Sequence, residues 1–172
     1  LIIQDLKKGI REANKNEIQK LVNLYPSLNE ELIVNMFVKD FVNKYNTYSK
    51  RIDFNVDLYK LCFNIEYKNI EIPINPTDDK SETYSTHYQV FNLENYNLNK
   101  FRFFKEKRLT HNKKTEKIDF AQYINGIPTI GVEVKTPKEG LSKALRDQKE
   151  KESYKYFLAI IGTNGTDVFI NS

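Results

Sequence analysis

The sequence predicts a mixed α/β fold, and three observations predict it. Apolar residues recur at helical spacing through the first third of the chain. From about Ile52 the pattern changes to segments rich in β-branched and aromatic residues, and the last third reads strand, helix, strand. The 172 residues suffice for one buried core, and 40% hydrophobic with 29% charged residues places the chain among ordinary globular proteins. Residues 1–48 are expected to form a helical N-terminal part and residues 49–172 the core of the same domain.

The first helical stretch carries Ile2, Ile3, Leu6, Ile10, Ile18, Leu21 and Val22 and ends at Tyr25-Pro26. Ser27 with Glu30 offers a capping box for the next helix. Ile33, Phe37, Phe41 and Tyr45, with Val34, Val38 and Val42 beside them, form two adjacent rows at i, i+4 and predict a buried stripe. Strands are then expected over Asp53–Phe63, Asn64–Ile74, Tyr84–Leu93 and Lys100–Lys107, with a polar loop at Asn75–Ser81. Leu109–Lys117 reads as a basic loop containing His111, Lys113, Lys114 and Lys117. The clearest local signal follows, a hairpin of Ile118–Ile124, Asn125-Gly126 and Ile127–Lys135. Leu141–Glu152 predicts a helix, Tyr156–Gly162 a buried strand, and Asp167–Ile170 a short final strand.

Several function classes are excluded early. No apolar stretch reaches membrane length and no signal peptide opens the sequence, so the expected location is cytoplasmic. The chain opens on Leu1 rather than Met, which suggests a piece of a longer protein. A lone Cys62, in an apolar run read as strand, forbids an internal disulfide, and His87 and His111 lack zinc-site spacing. A net charge of +4 is compatible with a polyanionic partner without predicting one.

The chemistry is concentrated in Asp119 and, fourteen positions later, Glu133-Val134-Lys135. Residues i and i+2 of a strand share a face, so Glu133 and Lys135 point one way. Ile130, Val132 and Val134 point the other way, expected to be the core. Two carboxylates and the backbone carbonyl of Val134 make a hard oxygen site suited to Mg²⁺, with Mn²⁺ able to substitute. Lys135 could orient the attacking water or stabilise charge on a phosphodiester as a point charge. Alternating Glu and Lys also decorate ordinary solvated sheet faces, and the residues alone leave both readings open. Register supplies a condition. A strict two-residue Asn125-Gly126 loop pairs 124 with 127 and, by parity, places Asp119 on the face opposite Glu133. The site therefore requires an extra residue or a bulge, and Pro128, which cannot donate to a ladder, marks the natural place for it.

The segment Asp119–Lys135, written D-F-x(3)-I-N-G-I-P-x-I-x-V-E-V-K, resembles the nuclease motif of type I restriction enzyme R subunits, which have a PD-(D/E)xK fold. Tyr88–Asn92 is similar to the strand that family places upstream, Thr136-Pro137 follows the lysine as there, and Ala159–Thr166 looks like its apolar strand ending in N-G-T. The likeness covers residues 84–170, about half the chain. It implies a restriction-endonuclease-like mixed sheet flanked by helices, with residues 49–172 as the endonuclease core. It also implies Asp119, Glu133 and the Val134 carbonyl as metal ligands and Lys135 as the catalytic lysine. A downstream helical Gln is matched by Gln148, but the position four further, where the family has Tyr, is Glu152, and the nearest tyrosine is Tyr154. An upstream helical acid is common in the fold, with Asp5, Glu12, Glu17, Glu30 and Glu31 all candidates.

The implied function is Mg²⁺-dependent cleavage of double-stranded DNA in a restriction complex with modification and specificity subunits. ATP would act through a motor region, because this chain has no phosphate-binding G-x-x-x-x-G-K-[ST] loop. The basic segment Lys105–Lys117 is the candidate phosphate contact. Two other readings fit the same motif: a freestanding nuclease of this fold for repair or junction resolution, and a non-catalytic DNA-binding or assembly module.

Overall fold

A computed structural model describes residues 1–63, 69–111 and 113–171, without the side chain of His111. It is a mixed α/β structure of five helices and two sheets. The helices are α1 (Ile3–Ala13), α2 (Lys15–Leu24), α3 (Glu30–Tyr48), α4 (Phe54–Phe63) and α5 (Leu141–Glu150). The strands are β1 (Ile70–Pro73), β2 (Thr83–Thr86), β3 (Phe101–His111), β4 (Lys114–Ile124), β5 (Ile127–Val134), β6 (Ala159–Thr163) and β7 (Val168–Asn171). β1 and β2 form a small antiparallel pair. The main sheet runs β3-β4-β5-β6-β7, antiparallel except for the parallel β5–β6 step around α5. No helix among the described residues is long and apolar enough to cross a membrane.

The α3 stripe is buried as its spacing demands: Ile33, Val34, Phe37, Phe41 and Tyr45 all face the larger of two apolar clusters. Its N-terminus differs from expectation. The Asn29 side chain, two residues past the expected serine, accepts the Leu32 amide hydrogen bond at 3.0 Å and caps the helix. The segment expected as a strand over Asp53–Phe63 is instead α4. Phe54, Leu58, Leu61 and Cys62 are buried at i, i+4, i+7 and i+8, a helical stripe packed against α3, and this tertiary surface outweighs their β-favouring composition. Cys62 is therefore a buried helical thiol whose pKa is raised by burial. Of the expected strand Asn64–Ile74, residues 64–68 lie outside the described residues and Ile70–Pro73 is β1. The expected strand Tyr84–Leu93 pairs only over residues 84–86. Beyond it the chain is held irregularly, with Asn14 donating to the Gln89 carbonyl and accepting from its amide, both at 2.8 Å.

Helix α1 roofs the Asn125-Gly126 turn. Both turn residues have positive φ (49° and 79°), the conformation a two-residue hairpin loop needs. Asn125 is almost wholly buried. Its amide donates to the Val90 carbonyl and to Asn99 Oδ1, and its Oδ1 accepts from the Lys100 amide, each at 2.8 Å. Ile2 donates to the Gly126 carbonyl at 2.8 Å, and a Cβ on Gly126 would collide with the Ile2 carbonyl. Gly9 of α1 lies so close to the Asn125 side chain that it too admits no Cβ. Buried Asp5 of the same helix pairs with Arg102 of β3 and with Lys100 just before it, and the Arg102 hydrogen bond holds its carboxyl below the usual range. The I-N-G-I-P motif thus fixes the hairpin's loop end to the helical part of the domain, and that fixes the register downstream.

Candidate active site

That register contains the irregularity the sequence requires. Ile124 pairs with Ile127 and Tyr123 with Pro128, but Gln122 pairs with Ile130, Ala121 with Gly131 and Phe120 with Val132. Thr129 is the extra residue, directly after Pro128. Its hydroxyl donates to the Gln122 carbonyl at 3.2 Å and is 3.1 Å from Gln122 Oε1, so the bulge is anchored by its own side chain. Continued one step, the shifted register sets Asp119 opposite Glu133. Asp119 Oδ2 accepts the Val134 amide at 2.8 Å, which brings the two carboxylate-bearing strands together at this point. Asp119 lies where β4 changes its buried parity, between inward Glu116 and Ile118 on one side and inward Ala121 and Tyr123 on the other.

The faces of β5 are the reverse of those expected. Gly131 and Glu133 lie on the covered face, whereas Ile130 and Val132 are half-buried beside Phe103 and Phe120 on the outer face and Val134 is exposed. The physical reason is the 3-10 turn Glu152–Tyr156 after α5, which lays Tyr154 over the inner face with Phe157 beside it. Gly131 makes the room: a Cβ there would lie 3.0 Å from two Tyr154 ring carbons and 3.1 Å from Phe157. Glu133 and Lys135 therefore sit in a roofed slot rather than on a solvated face.

Inside it Glu133 is 1% exposed and both its oxygens are engaged. Oε1 accepts from Lys135 Nζ at 2.7 Å; Oε2 accepts from Lys151 Nζ and from the Tyr154 hydroxyl, each at 2.6 Å. Burial alone would raise the Glu133 pKa, but these donors outweigh it and the carboxyl is held below its ordinary value. Lys135 also pairs with Asp147 of α5 at 2.6 Å. Burial pulls its pKa down, the two carboxylates push it up more strongly, and the net shift is upward. Asp147 is lowered in return, chiefly by the Lys135 hydrogen bond. The Tyr154 hydroxyl is raised by burial and by donating to Glu133. Gln148 is buried on α5 and donates to the Ile161 carbonyl of β6 at 2.8 Å, tying helix to sheet rather than reaching Glu133.

The structure thus gathers Asp119, Glu133, Val134 and Lys135, with Gln148 one helix packing layer away. Sequence reasoning missed Asp147 and Lys151, and it named Tyr154 without giving it a role. Asp147 and Lys151 are four apart and so share a helical face, which was a legible signal. The tyrosine was displaced because the helix gives way to a 3-10 turn. The five upstream acids are engaged elsewhere: Asp5 as above, Glu12 with Lys15, Glu17 with Thr86 and Lys20, and Glu30 and Glu31 with Arg11. The expected basic loop is a corner of regular structure, since β3 and β4 pair from Phe101↔Ile124 to His111↔Lys114. Lys105, Arg108, Lys113, Lys114 and Lys117 are exposed on this long hairpin.

Two carboxylates on adjacent strands beside a backbone carbonyl are a donor set of the chemistry a hard divalent cation takes. The fit requires the cations now on Glu133 to yield one oxygen. Among the described residues no group of three or more His, Cys, Asp or Glu is arranged to hold a metal ion.

No curated protein matches the chain closely enough to count as a relative. The family model of the Type I restriction enzyme R protein N terminus matches residues 2–172, well beyond the segment that carries the motif. With that match spanning both the helical part and the sheet, the chain belongs to the type I restriction enzyme R protein N-terminus family.

Proposed function

We propose that this domain is a PD-(D/E)xK endonuclease that hydrolyses phosphodiester bonds of double-stranded DNA with Mg²⁺. The observation that carries this reading is the Thr129 bulge, which sets Asp119 opposite Glu133 while Lys135 rests on Glu133 inside a covered slot. Asp119, Glu133 and the Val134 carbonyl would hold the cation, and Mn²⁺ could replace it. When bound, the cation supplies a lowered water pKa and neutralises charge that builds on the phosphodiester.

The chain's own residues supply the rest. Lys135, already ionised and aimed by Glu133 and Asp147, presents a compact positive charge to the scissile phosphate. Tyr154 and Gly131 keep bulk water off the buried side of Glu133. Gln148 acts as a positioning residue that holds α5 to β6. The exposed cations of the β3–β4 hairpin would follow the DNA backbone, which reads charge rather than sequence. In the full R protein, the cleavage would be coupled to ATP-driven translocation by a motor region, with modification and specificity subunits as partners, in the cytoplasm.

The test is nicking of supercoiled plasmid by the full R protein assembled with its partner subunits and ATP. Chelation of the divalent cation should abolish nicking, and added Mg²⁺ or Mn²⁺ should restore it. Nicking that persists at full rate in chelator would sink the reading.

A further inference from the structure

Lys151 is the residue at the site that the proposed chemistry leaves without a part. It closes the C-terminal end of α5, and its ammonium binds Glu133 Oε2 at 2.6 Å and the Lys117 carbonyl at 3.0 Å. The second contact locates it. Lys117 is in β4, two residues before Asp119, so the ammonium stands on the β4 side of Glu133. Lys135 occupies the other oxygen and has a second carboxylate, Asp147, to hold it there. Lys151 has no such second anion among the ion pairs of the described residues; its other partners are a carbonyl and, 5.8 Å away, the Tyr154 ring.

From this geometry we infer that Lys151 is a built-in competitor of the divalent cation, standing between Glu133 and the Asp119 strand until metal binds and displaces it. The inference rests on the metal-site reading above. Its physical basis is charge. Asp119, Glu133 and Asp147 against Lys135 and Lys151 leave the cluster at net −1, and without Lys151 it would be net −2. A divalent ion binding beside Glu133 must otherwise share the carboxylate with a fixed ammonium or expel it. Lys151 can leave at modest cost, because its side chain is a quarter exposed and its long stem can carry the ammonium out to water from the end of the helix. A metal-free site held in this way keeps a buried carboxylate neutralised without a bound ion.

The experiment is calorimetric titration of Mn²⁺ into the wild-type domain, Lys151→Gln and Lys151→Arg. The glutamine variant should bind at least about tenfold more tightly than wild type, since a unit positive charge next to the ion is removed. The arginine variant keeps the charge and should stay near wild type, which separates competition from a packing effect. Equal or weaker binding by Lys151→Gln, while wild type binds, overturns the inference and leaves the metal site standing. Absence of binding by all three proteins overturns both.

Discussion

Lys135→Met should reduce plasmid nicking by about 10²–10³-fold while Mn²⁺ binding survives. Methionine keeps the length and volume of the lysine stem, so the slot between β5 and α5 remains filled. What it removes is the charge held 2.7 Å from Glu133 and 2.6 Å from Asp147. Its loss removes transition-state stabilisation but no metal ligand, so the rate falls and the ion still binds. Lys135→Arg should recover little, because a planar fork cannot occupy the point position between the two carboxylates. The measurement is the initial nicking rate at saturating Mg²⁺. Wild-type rates in the methionine variant would remove Lys135 from the chemistry.

Glu133→Ala should destabilise the domain by about 3 kcal/mol, an unusual direction for an acid proposed to hold a metal. Carboxylates crowded around a vacant metal position commonly repel one another, and removing one then stabilises the fold. Here Glu133 is the counter-ion of two lysines and the acceptor of the Tyr154 hydroxyl, in a place that is 1% exposed. Alanine would leave Tyr154 donating to nothing and two ammonium groups facing each other across a cavity. Lys135 and Lys151 retain some contact with water, which keeps the cost at the lower end for a broken buried pair. Urea denaturation of both proteins at neutral pH measures this directly. A variant as stable as wild type would show that the ion-pair network is not holding the slot together.

Much of this was legible in the sequence, for identifiable reasons. Parity alone demanded an irregularity between Asp119 and Glu133, because two fixed strands joined by a two-residue turn leave no other way to align them. The structure supplies it at Thr129, beside the proline. The α3 stripe and the order of the last strands and helix were equally local signals. Alternation along β5 fixed which residues share a face, but not which face is covered. That depended on Tyr154 and Phe157, more than twenty residues away, and on the room left by Gly131. Likewise α4 carries residues that favour strands, and its helical burial is decided by α3. That Lys151 and Tyr154 meet at Glu133 depends on how α5 and the turn after it dock on the sheet, which no spacing rule encodes.

The proposed chemistry depends on one divalent cation shared between Asp119 and Glu133. Calorimetric titration of Mn²⁺ into the wild-type domain, Asp119→Asn and Glu133→Gln tests it most directly, since both substitutions keep side-chain volume and remove one ligand charge. Wild type should show a single site, and neither variant should show measurable binding. Matching titration curves for all three proteins would contradict it.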